Sequence, residues 1–165
     1  TVEEKDTHRF RDYGPLAALH FQQSIEQKAF VAGGGKFVAP AQRMVDFSRN
    51  KVSASLPGCS YLPGLRSVCL KEVLPPFLHS RLQEAFIEFG KKMKGYFTNE
   101  AVVVAPESRT SSPVRIPRNA TSMQHPQIEN LYPCAEGAGY AGGIVSAAMD
   151  GEKVASQVAA MLLRK

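Results

Sequence analysis

LYPCAEGAGYAGGIVSAAMDG, residues 131–151, is the stretch on which the architecture of this chain turns. Its opening residues, 131–134, read as a short strand. Gly137, Gly139 and Gly142 then fall in GxGxxG register and read as a turn. Beyond them Ile144, Ala148, Gly151, Ala155, Val158 and Leu162 recur every three or four positions, the period of a long helix. The small side chains of that stripe predict close approach to whatever the helix packs on. A strand, a glycine turn and a helix in this order let backbone N–H groups approach a phosphate or another electron-rich group. Taken alone the motif is weak, because glycines also serve tight turns and close packing. A complete dinucleotide fold continues into a second parallel strand with an acidic residue for the ribose, whereas this sequence is still in its helix at Lys165. The motif is therefore either a structural glycine turn or a half-site that completes a pocket built elsewhere. Two details favour the half-site. Glu136 is placed to accept a hydrogen bond from a polyol hydroxyl, and Gly142 and Gly143 leave the helix N-terminus free of side chains.

Upstream, AVVVA at 101–105 is a β-branched run suited to a buried strand, closed by Pro106. The polar and proline-bearing ESRTSSPVRIPR, 107–118, forbids a helix and allows only an edge strand around 114–116. A strong helix is predicted over 76–93, where Leu78, Leu82, Ala85, Phe86, Phe89 and Met93 form one stripe, Lys91 and Lys92 suit the C-terminal dipole, and Gly95 follows. Another is predicted over 15–31, opened by Pro15, striped by Ala18, Phe21, Ile25 and Ala29, and stopped by Gly33, Gly34 and Gly35. AQRMVDF, 41–47, suits a short helix, and 56–64, with two prolines and two glycines, a loop.

The composition, 165 residues with 44% hydrophobic and 21% charged, is that of an ordinary globular protein. The net charge of +5 is spread among acidic residues rather than gathered in a block, and neither an aromatic platform nor a recognition helix accompanies it, which argues against a nucleic-acid partner. Cys59, Cys69 and Cys134 make no CxxC pair, and His8, His20, His79 and His125 stand in no ligand spacing, so no metal site is expected and a reducing, cytoplasmic home is. No apolar run reaches the ~18 residues that cross a bilayer, so no membrane partner is expected. The charged start at Thr1, without an initiator Met, fits a domain excised from a longer polypeptide.

At this point the residues carry a likeness to a family. Residues 131–151 resemble the C-terminal flavin-binding signature of the bacterial FAD-utilising dehydrogenases, a mostly uncharacterised group. ESRTSSPVRIPR, the GKKMKGY after the second helix and EQKAFVAGGGKFVAPAQRMVDF resemble segments of that group in the same order, so the likeness covers most of 14–165. The resemblance implies that Glu136 binds the ribityl chain of FAD, and that Gly137, Ala138, Gly142, Gly143 and Ile144 lie against the flavin ring and pyrophosphate. Gly139 and Tyr140 belong to the same cofactor-binding turn. The Arg109 loop is implied to face the active site, where its charge suits an anionic substrate group. The family's N-terminal GxGxxG unit, which holds the ADP half of FAD, is absent from these residues.

The resulting expectation is an α+β fold. A helical front part, 1–100, packs with a small sheet as a substrate-side insert domain, and 101–165 form the C-terminal lobe of the FAD-binding domain, ending in a Gly-rich strand, turn and long helix that is half of a flavin-binding fold. The function expected is that of the C-terminal fragment of an FAD-dependent oxidoreductase, inactive alone and without bound FAD. Its partners would be the N-terminal FAD-binding part of the same polypeptide and a small-molecule substrate of unread identity. The competing expectation is a non-catalytic protein-interaction module.

Overall fold

The computed structural model describes residues 2–163, which divide into one unit of 23–108 and another of 2–22 with 109–163. The first helix, α1 (Ala17–Gly33), runs through the first of these divisions. It follows a 3-10 run, Glu4–Leu16, that breaks at Gly14, where φ is +53°. Gly33, the last residue of α1, has no room for a side chain, because a Cβ there would collide with the Val38 carbonyl oxygen.

The unit of 23–108 holds β1 (Ala39–Arg43), α2 (Met44–Ser48), β2 (Leu65–Ser67), α3 (Pro76–Lys92) and β3 (Val102–Val104). The three strands form one mixed sheet in the order β2-β1-β3. β1 pairs parallel with β2, Ala39 opposite Leu65, and antiparallel with β3, Ala41 opposite Val104. The predicted helices over 15–31 and 76–93 and the strand within 101–105 are present. AQRMVDF is divided: its first three residues complete β1 and its last four open α2.

This unit is organised around Phe47, which is fully buried. Ala29, Leu70, Val73, Leu74 and Ala105 complete the cluster, and Phe86 meets the Phe47 ring edge-on at 5.6 Å. Gln42, also fully buried, is tolerated because both ends of its amide are used: Nε2 donates to the Lys51 carbonyl at 2.8 Å and Oε1 accepts from the Leu70 N–H at 2.7 Å. Gln83 of α3 donates to the Phe47 and Ser48 carbonyls, closing the end of α2.

The other unit carries α4 (Ile144–Leu162) and, before it, a long stretch without ladder structure. The strand expected over 131–134 does not form. Its backbone acceptors go elsewhere: the Leu131 carbonyl accepts from the His125 N–H at 2.8 Å, and the Pro133 carbonyl from the Arg118 guanidinium at 2.8 Å. Pro133 has no N–H to offer a neighbouring strand. The face of α4 also differs from the expected one. Val154 is buried and Asp150 and Met161 are half-buried, whereas Ala148 and Ala155 are exposed and Ile144 is 93% exposed. The helix is turned this way by two polar anchors, Asp150 on Arg118 and the Met161 sulfur accepting from the Tyr132 hydroxyl at 2.9 Å. Of the expected stripe, Ile144, Ala148, Ala155 and Leu162 are therefore exposed, while Gly151 and Val158 are half-buried.

Candidate functional site: a glycine turn clamped to a helix

The turn at 135–143 is shaped by bonds within itself and by the segment 112–118. The Gly139 N–H donates to the Glu136 carbonyl and the Tyr140 N–H to the Ala135 carbonyl, each at 3.0 Å. Such closure requires left-handed backbone at Ala135, φ +56°, and at Gly139, φ +81°. For Gly139 the requirement is also steric, since a Cβ would lie 2.6 Å from the Val114 carbonyl oxygen. For Ala135 the left-handed conformation costs about 1–2 kcal/mol. The second segment is zipped on by the Ile116 N–H donating to the Ala138 carbonyl at 3.1 Å and the Tyr140 hydroxyl donating to the Ile116 carbonyl at 3.0 Å.

Beneath the turn lies an ion pair. Arg118 donates to Asp150 through both ends of its fork, at 2.8 and 2.5 Å, and the two side chains are only 8% and 13% exposed. Asp150 accepts a third bond, from the Ala135 N–H at 2.8 Å, at the very residue held left-handed. A charge-assisted bond of this kind contributes about 1.5–3 kcal/mol, enough to offset the strain. The Arg118 hydrogen bonds, with the Ala135 N–H and the Arg118 charge, hold the Asp150 carboxyl at about 2, and Asp150 in turn raises Arg118. The Arg118 guanidinium also sits 3.6 Å from the Tyr140 ring centroid and that of Arg115 4.3 Å, an aromatic ring carrying two cations.

Around this clamp the residues singled out in the sequence are distributed unevenly. Glu136, Gly137, Gly142, Gly143 and Ile144 are exposed. A Cβ built on Gly137 meets nothing within 4 Å, one on Gly142 meets only the Thr110 carbonyl at 3.6 Å, and one on Gly143 only the Ser146 hydroxyl at 3.5 Å. Together they make an open shelf of bare backbone. Ala138 is buried under it, and Tyr140, half-buried, spends its hydroxyl on Ile116. Arg109 is exposed and one residue from Thr110, so its segment runs beside Gly142. Arg118 and Asp150 were not among the expected site residues. Their separation of 32 positions gives no local signal; the one hint is an acid placed among the small residues of an otherwise apolar helix start.

Ser146 accepts from the Gly143 N–H at 3.2 Å and donates to the Gly143 carbonyl at 2.9 Å, fixing the first turn of α4. The N–H groups of that first turn have no helical acceptor ahead of them and carry the positive end of the helix dipole. The shelf of bare glycine backbone thus has N–H donors at one end and the Glu136 carboxylate at the other. Among the described residues, no three His, Cys, Asp or Glu side chains gather where they could hold a metal.

Residues 1–110 match the family described as FAD-dependent protein, C-terminal domain-like. The chain belongs to that family. Over 160 residues, the chain is also 44% identical to an uncharacterized protein of Clostridium beijerinckii. That match takes in 96% of the domain but only 29% of the relative, so the domain spans less than a third of the length of the protein it matches. The family match ends at residue 110, before the turn, whereas the match to the relative extends over nearly all of the domain. Among the described residues, no helix is long and apolar enough to cross a membrane.

Proposed function

We propose that this domain is the C-terminal part of an FAD-dependent oxidoreductase, in which the turn at 135–143 completes the flavin site and the rest of the parent polypeptide binds the ADP half. The observation that carries the reading is the shelf of Gly137, Gly142 and Gly143, clear of side chains and bordered by the Glu136 carboxylate. FAD, when bound, would supply the hydride or electron transfer. The domain's own residues would bind and orient it. Glu136 would accept hydrogen bonds from the ribityl hydroxyls. Gly137, Gly139, Gly142 and Gly143 would let the backbone approach closely, with Ala138 and Tyr140 supporting them from below. Ile144, at the helix start, would cover one face, and the first N–H groups of α4 would favour negative charge there. Arg109 would bind an anionic group of a small-molecule substrate, and 1–100 would form the substrate side.

The outward stripe of α4 supports a partner in the same polypeptide. Ile144, Val145 and Met149, at 93%, 72% and 65% exposed, present more apolar surface than an isolated helix face leaves in water. In this reading the N-terminal FAD-binding part covers them, and the isolated domain is inactive. A non-catalytic interaction module would use the same stripe but has no need of the glycine shelf.

A visible-absorbance titration of FAD tests the reading, run on the domain, on the parent polypeptide and on the Glu136→Ala variant of each. Tight binding by the parent, weakened by Glu136→Ala in it and absent from the isolated domain, is expected. A folded parent that takes up no flavin would leave the interaction module as the better account.

A further inference from the structure

The exposed shelf has no rigid element of its own: 135–143 contains neither strand nor helix, and two of its residues are held left-handed. Something else must keep Glu136 and the glycines in one geometry. Arg118 and Asp150 reach the underside of this turn with directed bonds. Both are nearly fully occupied there. One Asp150 oxygen accepts from Arg118 alone, and the other accepts from Arg118 and from the Ala135 N–H. The Arg118 fork serves Asp150 and the Pro133 carbonyl while its plane lies against Tyr140. So the pair ties together Pro133, just before the turn, and Ala135 and Tyr140 within it, and connects all three to the second turn of α4.

We propose that Arg118 and Asp150 are positioning residues for the cofactor: they set the aim of Glu136 and the spacing of the glycine shelf without touching the flavin themselves. The proposal rests on the FAD reading above. Ala135 is the lever. Its N–H is tied to Asp150, its carbonyl accepts from Tyr140, and Glu136 is the next residue in the chain. Releasing Asp150 removes the bond that offsets the left-handed backbone at Ala135, and a rotation there swings Glu136 and opens the Ala135–Tyr140 closure. Arg118 transmits the same restraint from the other side through Tyr140. A binding site held within a few tenths of an ångström by such a supporting layer loses affinity when the layer loosens, even though every contacting residue is still present.

The test uses the full parent polypeptide, stripped of flavin, and FAD as the probe. Asp150→Asn keeps the shape and removes the charge; Arg118→Lys keeps the charge and removes the fork. Each is expected to raise the Kd for FAD about tenfold, equivalent to about 1.4 kcal/mol. The double variant should cost little more than either single one, because both break one unit. The midpoint potential and absorption band shape of the flavin that still binds should shift in both single variants, a change that lowered stability alone would not produce. Circular dichroism and the melting temperature identify a variant that fails to fold, and Arg118→Lys, the milder change, then decides. Wild-type binding with unchanged affinity, potential and spectrum in a folded variant overturns the positioning role and leaves the FAD reading standing. A wild-type parent that binds no FAD overturns both.

Discussion

Two aromatic rings, one in each unit, are held in opposite ways. Phe47 is fully buried, with Phe86 edge-on and His79 tilted against it at 4.6 Å, and aliphatic side chains complete the cluster. Tyr140 is half-buried under two guanidiniums, with its hydroxyl bonded to a backbone carbonyl. The first ring is positioned by the exclusion of water, which is non-directional and tolerates repacking. The second is positioned by directed bonds, which define a geometry but depend on charge. A unit that must present an exposed surface in a defined shape cannot rely on burial, and the clamp of Arg118 and Asp150 takes its place.

If that contrast is right, the largest loss on substitution belongs to the apolar centre. Phe47→Ala should cost about 3–5 kcal/mol in chemical denaturation of the domain, from lost transfer energy and the cavity left behind. A cost below about 1 kcal/mol would mean that Phe47 does not organise its unit. Acid separates the two regions next. The Asp150 carboxyl is lowered from 3.8 to about 2 in the fold, so the stability it contributes is present above pH 3.8 and lost as pH falls through about 2. That contribution is roughly 2 kcal/mol as an upper bound. Between those limits, amides at 135–140 should lose protection from exchange relative to those of β1, and Asp150→Asn should abolish the difference. Equal acid sensitivity in both regions would break the comparison.

The smallest effect lies at His79, whose pKa is lowered by burial and by the charge of Lys71, and whose Nε2 is buried without a partner. The unfolded chain takes up the proton first, so stability is fully present above the ordinary value of 6.5 and declines as pH falls below it. His79→Phe, which keeps a ring against Phe47, should flatten that decline. A variant with the same slope as the wild type would remove His79 as its source.

The sequence is legible where an apolar stripe is long or a run is β-branched, even where burial is partial, as at the exposed Leu82 and Phe89 of α3 and Val104 of β3. α1, α3 and the β-branched β3 carry an apolar stripe or run and lie where the pattern places them. β1 was hidden because APAQR has no β-branched residue and buries a glutamine, whose partners at Lys51 and Leu70 exist only in the fold. β2 is three residues long, too short for any alternation to show. The strand expected at 131–134 fails for the converse reason: the local pattern was apolar, but its carbonyls had been claimed by Arg118 and the His125 N–H. At the site, the glycines were readable because each serves a local turn or an open face. The clamp was not, because a bond between positions 118 and 150 has no period.

The position of Asp150 in the second turn of α4 also orders the assembly of the domain in time. Ala135 cannot be held left-handed by a carboxylate that is not yet in place, and that carboxylate is in place only once the helix is wound. The clamped form of the turn thus depends on a residue that follows it in the chain. Closing the loop of 32 residues between the clamp partners carries an entropy cost that grows only slowly with length. Synthesis therefore delivers an unshaped glycine segment first and the residue that gives it form about fifteen positions later.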